Sequence, residues 1–120
     1  MLLCLFLAGC VGTRVGAMKT EVDVEIINRS SRDLKNARAR FGDHDCLWGT
    51  VIKAATKGYG FYPHPITSTT ELIWDEDGRQ RLERIDLSHT YVSGKSGRLT
   101  FTIYDDRVDV SFRGKTESKN

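Results

Sequence analysis

The sequence EVDVEIIN at residues 21–28 alternates acidic and aliphatic side chains over its first six positions. Because successive side chains of a strand point to opposite faces of a sheet, the aliphatic residues would lie on a buried face and the acidic residues on a solvated one. This stretch therefore predicts a β-strand that forms one wall of a hydrophobic core.

Further predicted strands follow along the chain, several of them with the same two-residue period. They lie at residues 34–41, 47–54, 67–74, 79–87, 98–104 and 107–112, with a short edge strand expected at residues 59–62. Asp77-Gly78 joins two of them and is typical of a tight hairpin, because both residue types tolerate positive φ. We expect the strand at residues 34–41 to pair antiparallel with the strand at residues 21–28.

A single all-β domain is the fold class that this pattern predicts. The chain has 120 residues, which is enough for one hydrophobic core. About seven short strands favour an antiparallel β-sandwich, with a small β-barrel as the alternative. We expect Trp48 and Trp74 in the core, the domain at residues 20–113 and a flexible polar tail at residues 114–120.

The chain begins with an uncharged apolar run, LLCLFLA at residues 2–8. It is shorter than the roughly 18 residues that a transmembrane helix needs, but it fits the hydrophobic part of an export signal. The motif Leu7-Ala8-Gly9-Cys10 at its end resembles bacterial lipoprotein signal peptides. Because no Lys or Arg precedes the run, a buried N-terminal strand and a start codon farther upstream remain alternatives.

The lipoprotein resemblance implies both a location in the cell envelope and a lipid anchor. Residues 1–9 would be removed as the signal peptide, and Cys10 would carry diacylglycerol on sulfur and an acyl chain such as palmitate on nitrogen. Residues 10–19 would form a lipidated tether. The residue after Cys10 is Val11 and not an aspartate. In this family that implies delivery to the outer membrane, with the domain facing the periplasm. Two or three acyl chains make such anchoring stable.

The same resemblance excludes a disulfide from the mature chain. Cys4 would leave with the signal peptide and Cys10 would be alkylated, so Cys46 would be the remaining thiol of the three cysteines. Cys46 stands beside His44 and Asp45, but adjacent residues of a strand point to different faces, and cysteine is among the most buried residue types. We therefore interpret Cys46 as a core residue.

Charge and ligand spacing argue against nucleic-acid and metal partners. The 18 basic and 16 acidic residues are interspersed, and the mildly basic run at residues 29–40 reads as a solvated face rather than a phosphate-binding patch. Asp75 and Asp77 lack the further ligands of a calcium loop, so they fit a charged hairpin tip. No pair of histidines has ligand spacing, and we predict no metal and no cofactor.

We also predict that the chain is not an enzyme. Ser88 and His89 are adjacent in sequence, but adjacency does not provide the geometry of a nucleophile with an oriented base. An enzyme acting on cell wall or lipid is the competing class. It would need Ser88, His89, His44 or Cys46 to converge in one cleft with acidic support.

An aromatic loop is the strongest candidate for a binding surface. GYGFYPHP at residues 58–65 places three aromatic rings among glycines and prolines. Such rings are common at protein-binding surfaces because they bury a large area at little rotamer cost. We expect partner contacts from Tyr59, Phe61, Tyr62 and His64. The alternative is that these rings cover the edge of the sandwich.

The strand pattern also carries a resemblance. A first strand ending in Asn28, WDEDG at residues 74–78 and GRLTFTI at residues 97–103 resemble short bacterial and phage envelope proteins with immunoglobulin-like domains. We therefore expect an envelope lipoprotein that is a non-enzymatic binding or structural module for another macromolecule, an envelope or phage protein. A protective lipoprotein, acting in phage exclusion, toxin immunity or enzyme inhibition, is the alternative.

Overall fold

The computed structural model describes residues 20–115, which form eight β-strands. The strands are β1 (Val22–Asn28), β2 (Leu34–Phe41), β3 (His44–Val51), β4 (Thr56–Tyr59), β5 (Thr69–Glu76), β6 (Arg79–Asp86), β7 (Gly97–Ile103) and β8 (Val108–Gly114). The expected signal peptide, Cys10, the tether and most of the tail lie outside the described residues. Within residues 20–115, no helix is long and apolar enough to cross a membrane.

Two four-stranded sheets confirm the predicted β-sandwich. Sheet A has the order β4-β1-β7-β8, and sheet B has the order β3-β2-β5-β6. All neighbouring strands are antiparallel except β1 and β7, which run parallel with Val22 opposite Gly97. The described strands do not close into a barrel, and there are eight of them where about seven were predicted.

The predicted pairing of β1 with β2 is wrong. β1 lies between β4 and β7 in sheet A, whereas β2 lies between β3 and β5 in sheet B. Residues 29–33 carry the chain from one sheet to the other, and the N–H of Arg29 donates to the carbonyl of Ile103 on the way. Alternation shows which face of a strand is buried, but it does not identify the neighbouring strand.

Side chains from both sheets form one core that includes the two tryptophans. The indole N–H of Trp48 donates to the carbonyl of Val24 at 3.2 Å, and its ring meets Phe101 edge-on with the centroids 6.1 Å apart. The indole N–H of Trp74 donates to Glu76 at 3.0 Å. Each buried indole therefore keeps a hydrogen-bond partner, as amphipathic aromatic residues require.

Local backbone conformations shift two of the predicted strands. The sequence predicts β3 at residues 47–54, but β3 begins at His44, and Gly49 at φ 81° interrupts its alternation. The short edge strand lies at Thr56–Tyr59 rather than at residues 59–62, since Phe61 adopts φ 51°. The hairpin at Asp77-Gly78 is confirmed, with φ values of 50° and 78°.

Charged side chains lie on the inward face of β6, at one edge of sheet B. β6 is an edge strand, and its inward positions include Arg81 opposite Trp74 and Glu83 opposite Leu72. Arg81 forms an ion pair with Glu76 at 3.0 Å and lies over the Trp74 ring at 5.5 Å from the centroid. Inward-pointing charges on an edge strand discourage pairing with another sheet.

Gly97 is required where β7 approaches β8. A Cβ atom at Gly97 would collide with the carbonyl oxygen of Arg113 and with the Phe112 ring. We expect Gly97→Ala to lower the free energy of unfolding by about 1 to 3 kcal/mol, because the backbones must separate to admit the methyl group. Urea denaturation followed by tryptophan fluorescence measures the change.

Gly58→Ala is the matched control, because a Cβ atom at Gly58 meets nothing within 4 Å. We expect its stability to change by less than about 0.5 kcal/mol. Equal losses in the two variants would show that backbone approach at Gly97 is not the cause.

Candidate functional site

The loops of the sandwich cluster at two ends. The end at which β1 begins, called here the proximal end, carries residues 42–43, 60–68 and 87–96, and the opposite distal end carries residues 29–33, 52–55, 77–78 and 104–107. The N–H of Tyr62 donates to the carbonyl of Val22 at 2.8 Å, and the N–H of Gly97 donates to the carbonyl of Glu21 at 3.0 Å. The aromatic loop therefore lies beside the first residues of the described chain.

The aromatic loop has a fixed backbone and an open tip. Phe61 adopts φ 51° and donates its backbone N–H to the Asp23 carboxylate at 2.9 Å. A bulky residue at positive φ is uncommon and persists only where its surroundings hold it. Phe61 is nevertheless 66% exposed. The loop thus presents an aromatic ring to solvent in a defined position.

Tyr62 turns inward and supports the loop from below. It is 5% exposed, and its ring lies 5.4 Å from Phe41, 5.5 Å from Tyr59 and 5.5 Å from His64. Burial is the largest cause that raises the pKa of Tyr62 to about 12, and electrostatic repulsion from the neighbouring Cys46 is the next. Its hydroxyl has no hydrogen-bond partner in the part of the chain that the structure describes.

His64 stacks on His44 and so joins the loop to the start of β3. The ring centroids are 3.7 Å apart, and the ring planes differ by 1°. Among residues 20–115, no group of three or more His, Cys, Asp or Glu side chains is placed to hold a metal ion. The stack is a packing contact between the loop and the β2–β3 hairpin.

The four residues expected to contact a partner thus divide into two groups. Tyr59, Phe61 and His64 are exposed and accessible, whereas Tyr62 is buried beneath them. The sequence could not show which of the four residues are buried, because alternation predicts burial only within a regular strand and the loop is not one. Partner contact by the three exposed residues stays a prediction.

The residues that an enzyme would need are each held by local contacts or buried. Cys46 is fully buried, and Ser88 donates its backbone N–H to Asp86 at 2.9 Å. His44 is held in the stack with His64. Within the described range, no hydrogen bond joins Ser88 or Cys46 to a histidine. This arrangement lacks the nucleophile and base contact on which covalent catalysis depends.

We expect the Cys46 thiol to resist alkylation while the chain is folded. Burial raises the pKa of Cys46 from 9.0 to about 12, and the thiolate is the reactive form. In a chain with Cys4→Ser and Cys10→Ser, labelling at about pH 8 should be at least about 100-fold slower than in concentrated urea. Equal labelling rates would show that the thiol is accessible.

The same pKa shift predicts the direction of an alkaline stability loss. The folded pKa of Cys46 lies above the unfolded value, so its contribution to stability is complete below about pH 9 and is lost as the pH rises toward 12. Cys46→Ala should make the stability profile flatter over that interval. Tyr62→Phe should act in the same direction, because the pKa of Tyr62 is also raised.

A groove on sheet A contains residues that the sequence analysis did not single out. Arg98 on β7 lies directly opposite Arg113 on β8, both on the outward face. Both are exposed, and neither forms an ion pair within residues 20–115. The groove has a volume of about 290 Å³, and its lining also includes Phe61, Lys115, Glu21 and Asp23.

The outer face of sheet B carries aliphatic side chains beside a row of ion pairs. The register aligns Leu47, Arg38, Ile73 and Leu82 across its four strands. Leu47 is 62% exposed and Leu82 is 48% exposed. The neighbouring row joins Asp45, Arg40, Glu71 and Arg84 through contacts of 3.1, 3.9 and 2.9 Å.

Comparison with known proteins supports the fold alone. The chain matches no protein-family model and no curated protein sequence. A solved structure that it resembles is the NMR structure of a protein from Eubacterium rectale, with a TM-score of 0.52 and 12% sequence identity. The likeness covers 81% of this chain and 90% of that chain. The chain is thus a small all-β domain with a structural neighbour, and the immunoglobulin-like resemblance stays a prediction.

Proposed function

We propose that this chain is a lipid-anchored envelope protein whose β-sandwich binds another macromolecule without catalysing a reaction. Cys10 carries the lipid, and the domain faces the periplasm from the outer membrane. The observation that supports the binding role is the outer face of sheet B, where Leu47 and Leu82 are 62% and 48% exposed. Exposed leucines on β3 and β6, beside a row of paired charges, offer the mixture of apolar and polar groups that protein interfaces combine.

The outer face of sheet B is a better protein-binding surface than the aromatic loop or the β6 edge. The loop lies at the proximal end, where the chain arrives from Cys10, so an anchored domain would direct it toward the membrane. The edge carries inward charges at Arg81 and Glu83, which oppose strand addition. A sheet face also loses little conformational entropy on binding, because its side chains stand on a rigid backbone.

Site-specific photo-crosslinking in intact cells tests the binding surface. A photoreactive residue at position 47 or 82 should capture a discrete protein, and one at Ser111, outward on sheet A, should not. Adding Leu82→Arg should lower the crosslinking yield at position 47 at least about 10-fold, because an unpaired charge would be buried within the contact. Equal capture at all three positions, or none at positions 47 and 82, would contradict the assignment.

Metabolic labelling tests the anchor separately. A fatty-acid analogue should label the full chain and should not label Cys10→Ser. Both proteins should be detected at similar levels by antibody, so that a lost label reflects the lost cysteine. Equal labelling of the two would rule out lipid on Cys10.

A further inference from the structure

We propose that the proximal end of the sandwich binds the surface of an anionic phospholipid bilayer. In this arrangement Arg98 and Arg113 hold a lipid phosphate, and the Phe61 ring enters the interface between headgroups and acyl chains. This surface differs from the protein-binding face of sheet B. This proposal depends on the proposed lipid anchor in one respect only, namely that the anchor would bring the domain close to the membrane.

The arginine pair is the first observation that points to an anion. Arg98 and Arg113 are register partners on adjacent antiparallel strands, and like charges directly opposite one another destabilise a sheet. Asp23 is the register partner of Arg98 on its other side, yet the two form no ion pair within the described residues. A phosphate group between the guanidinium groups would relieve the repulsion through charge-assisted hydrogen bonds.

The remaining charges of the groove leave this pair as its basic centre. Lys115 forms an ion pair with Glu21 at 2.6 Å, and the Asp23 carboxylate accepts the Phe61 N–H at 2.9 Å. Two arginines therefore face one carboxylate that already has a hydrogen-bond donor. The charge of the groove complements an anionic headgroup.

Exposed apolar residues at the same end provide the second observation. Phe61 borders the groove and is 66% exposed, and Val92 on the proximal loop at residues 87–96 is 56% exposed. An aromatic ring on a rigid loop beside basic side chains suits the membrane interface, where apolar groups enter the acyl boundary and basic groups remain with the headgroups.

The position of the preceding chain is the third observation. Nine residues, 11–19, separate Cys10 from Thr20, and nine extended residues span at most about 30 Å. Thr20 lies at the proximal end, where its hydroxyl is 3.4 Å from the carbonyl of Gly94. A lipid on Cys10 would therefore hold the proximal end, which carries the Phe61 and arginine surface, within about 30 Å of the bilayer.

Vesicle binding by the full chain without lipid tests this surface independently of lipidation. The background is Cys4→Ser with Cys10→Ser, and co-sedimentation is measured with vesicles of phosphatidylcholine alone or mixed with phosphatidylglycerol. Arg98→Gln with Arg113→Gln should lower partitioning onto the mixed vesicles at least about 10-fold, and Phe61→Ser should lower it on both vesicle types. Residues 1–9 are the same in every variant, so their own affinity cancels.

Arg29→Gln with Arg79→Gln is the matched control, because both residues are exposed, remote from the groove and without an ion pair in the described chain. It has the same net charge as the groove variant and should change partitioning less than about 3-fold. Equal losses in the two double variants, or no loss in either, would overturn the proposal. Saturable binding of inorganic phosphate at the arginine pair without a preference for anionic vesicles would also overturn it and indicate a free-anion site.

Spin labels then test orientation on the membrane. A label at Val92→Cys should gain collisions with oxygen and lose collisions with a water-borne nickel reagent when mixed vesicles are added. A label at Asp106→Cys, at the distal end, should change in neither respect. Similar changes at both positions would contradict an oriented contact. Failure of Cys10 lipidation in cells would leave these vesicle results intact, which separates the two proposals.

Discussion

Replacing Phe101 by alanine is expected to lower the free energy of unfolding by about 3 to 5 kcal/mol. Phe101 is fully buried on β7, and its ring packs edge-on against Trp48 at 6.1 Å. The smaller side chain would leave a cavity between the two sheets and remove this aromatic contact. Because small domains are stable by only about 5 to 15 kcal/mol, the loss is a large fraction of the total. Urea denaturation followed by fluorescence of Trp48 and Trp74 measures it.

Phe61→Ala is the matched control for this prediction. It removes the same side chain from a position that is 66% exposed, so we expect a change below about 0.5 kcal/mol. Phe101→Leu should cost less than Phe101→Ala, because it refills most of the volume. Losses of similar size at positions 61 and 101 would contradict the assignment of Phe101 to the core.

Replacing Asn28 by alanine is expected to cost about 3 kcal/mol or more, since it removes three hydrogen bonds and takes from the buried carbonyl of Val51 its side-chain donor. Asn28 is fully buried at the end of β1. Its amide donates to the carbonyl of Arg32 at 2.8 Å and to that of Val51 at 2.9 Å, and its side-chain oxygen accepts the N–H of Ser30 at 2.9 Å. The side chain therefore joins the connection between the sheets to the end of β3.

Ser30→Ala tests whether the loss of stability comes from the buried amide of Asn28 or from its more exposed neighbours. It removes the hydroxyl that lies 2.7 Å from the Asn28 side-chain oxygen and 3.1 Å from the Arg32 carbonyl, but it leaves the buried carbonyl of Val51 with its donor. We expect it to cost less than about 1.5 kcal/mol, measured by the same urea titration. If Asn28→Ala costs no more than Ser30→Ala, the buried contacts of the amide do not stabilise the fold.

Local features of the fold follow directly from the sequence, and its long-range pairings do not. Alternation in β1 identifies Val22, Val24 and Ile26 as buried, and Asp77-Gly78 identifies its hairpin, because both signals depend only on neighbouring residues. The position of β1 between β4 and β7 depends on which strands meet across the whole chain. No local pattern encodes that choice, and a compact link at residues 29–33 can lead either to a hairpin or to the opposite sheet.

The candidate sites show the same division between local and long-range information. Composition alone points to the aromatic loop, and the structure leaves Tyr59, Phe61 and His64 exposed there. The opposition of Arg98 and Arg113 arises from the register of β7 and β8, which depends on the length of the connecting turn. Residues 15 positions apart therefore become neighbours through pairing that charge counts along the sequence do not reveal.

The parallel pairing of β1 with β7 has a consequence for the order in which the two sheets form during synthesis. Val22 and Gly97 are register partners separated by 75 positions, so β1 leaves the ribosome long before its neighbour exists. Sheet B, by contrast, is built from antiparallel strands and contains two direct hairpins. Because loop closure over so long a segment slows folding, sheet A is expected to be completed last. The delay would leave the side of β1 that pairs with β7 open until nearly all of the chain has been made.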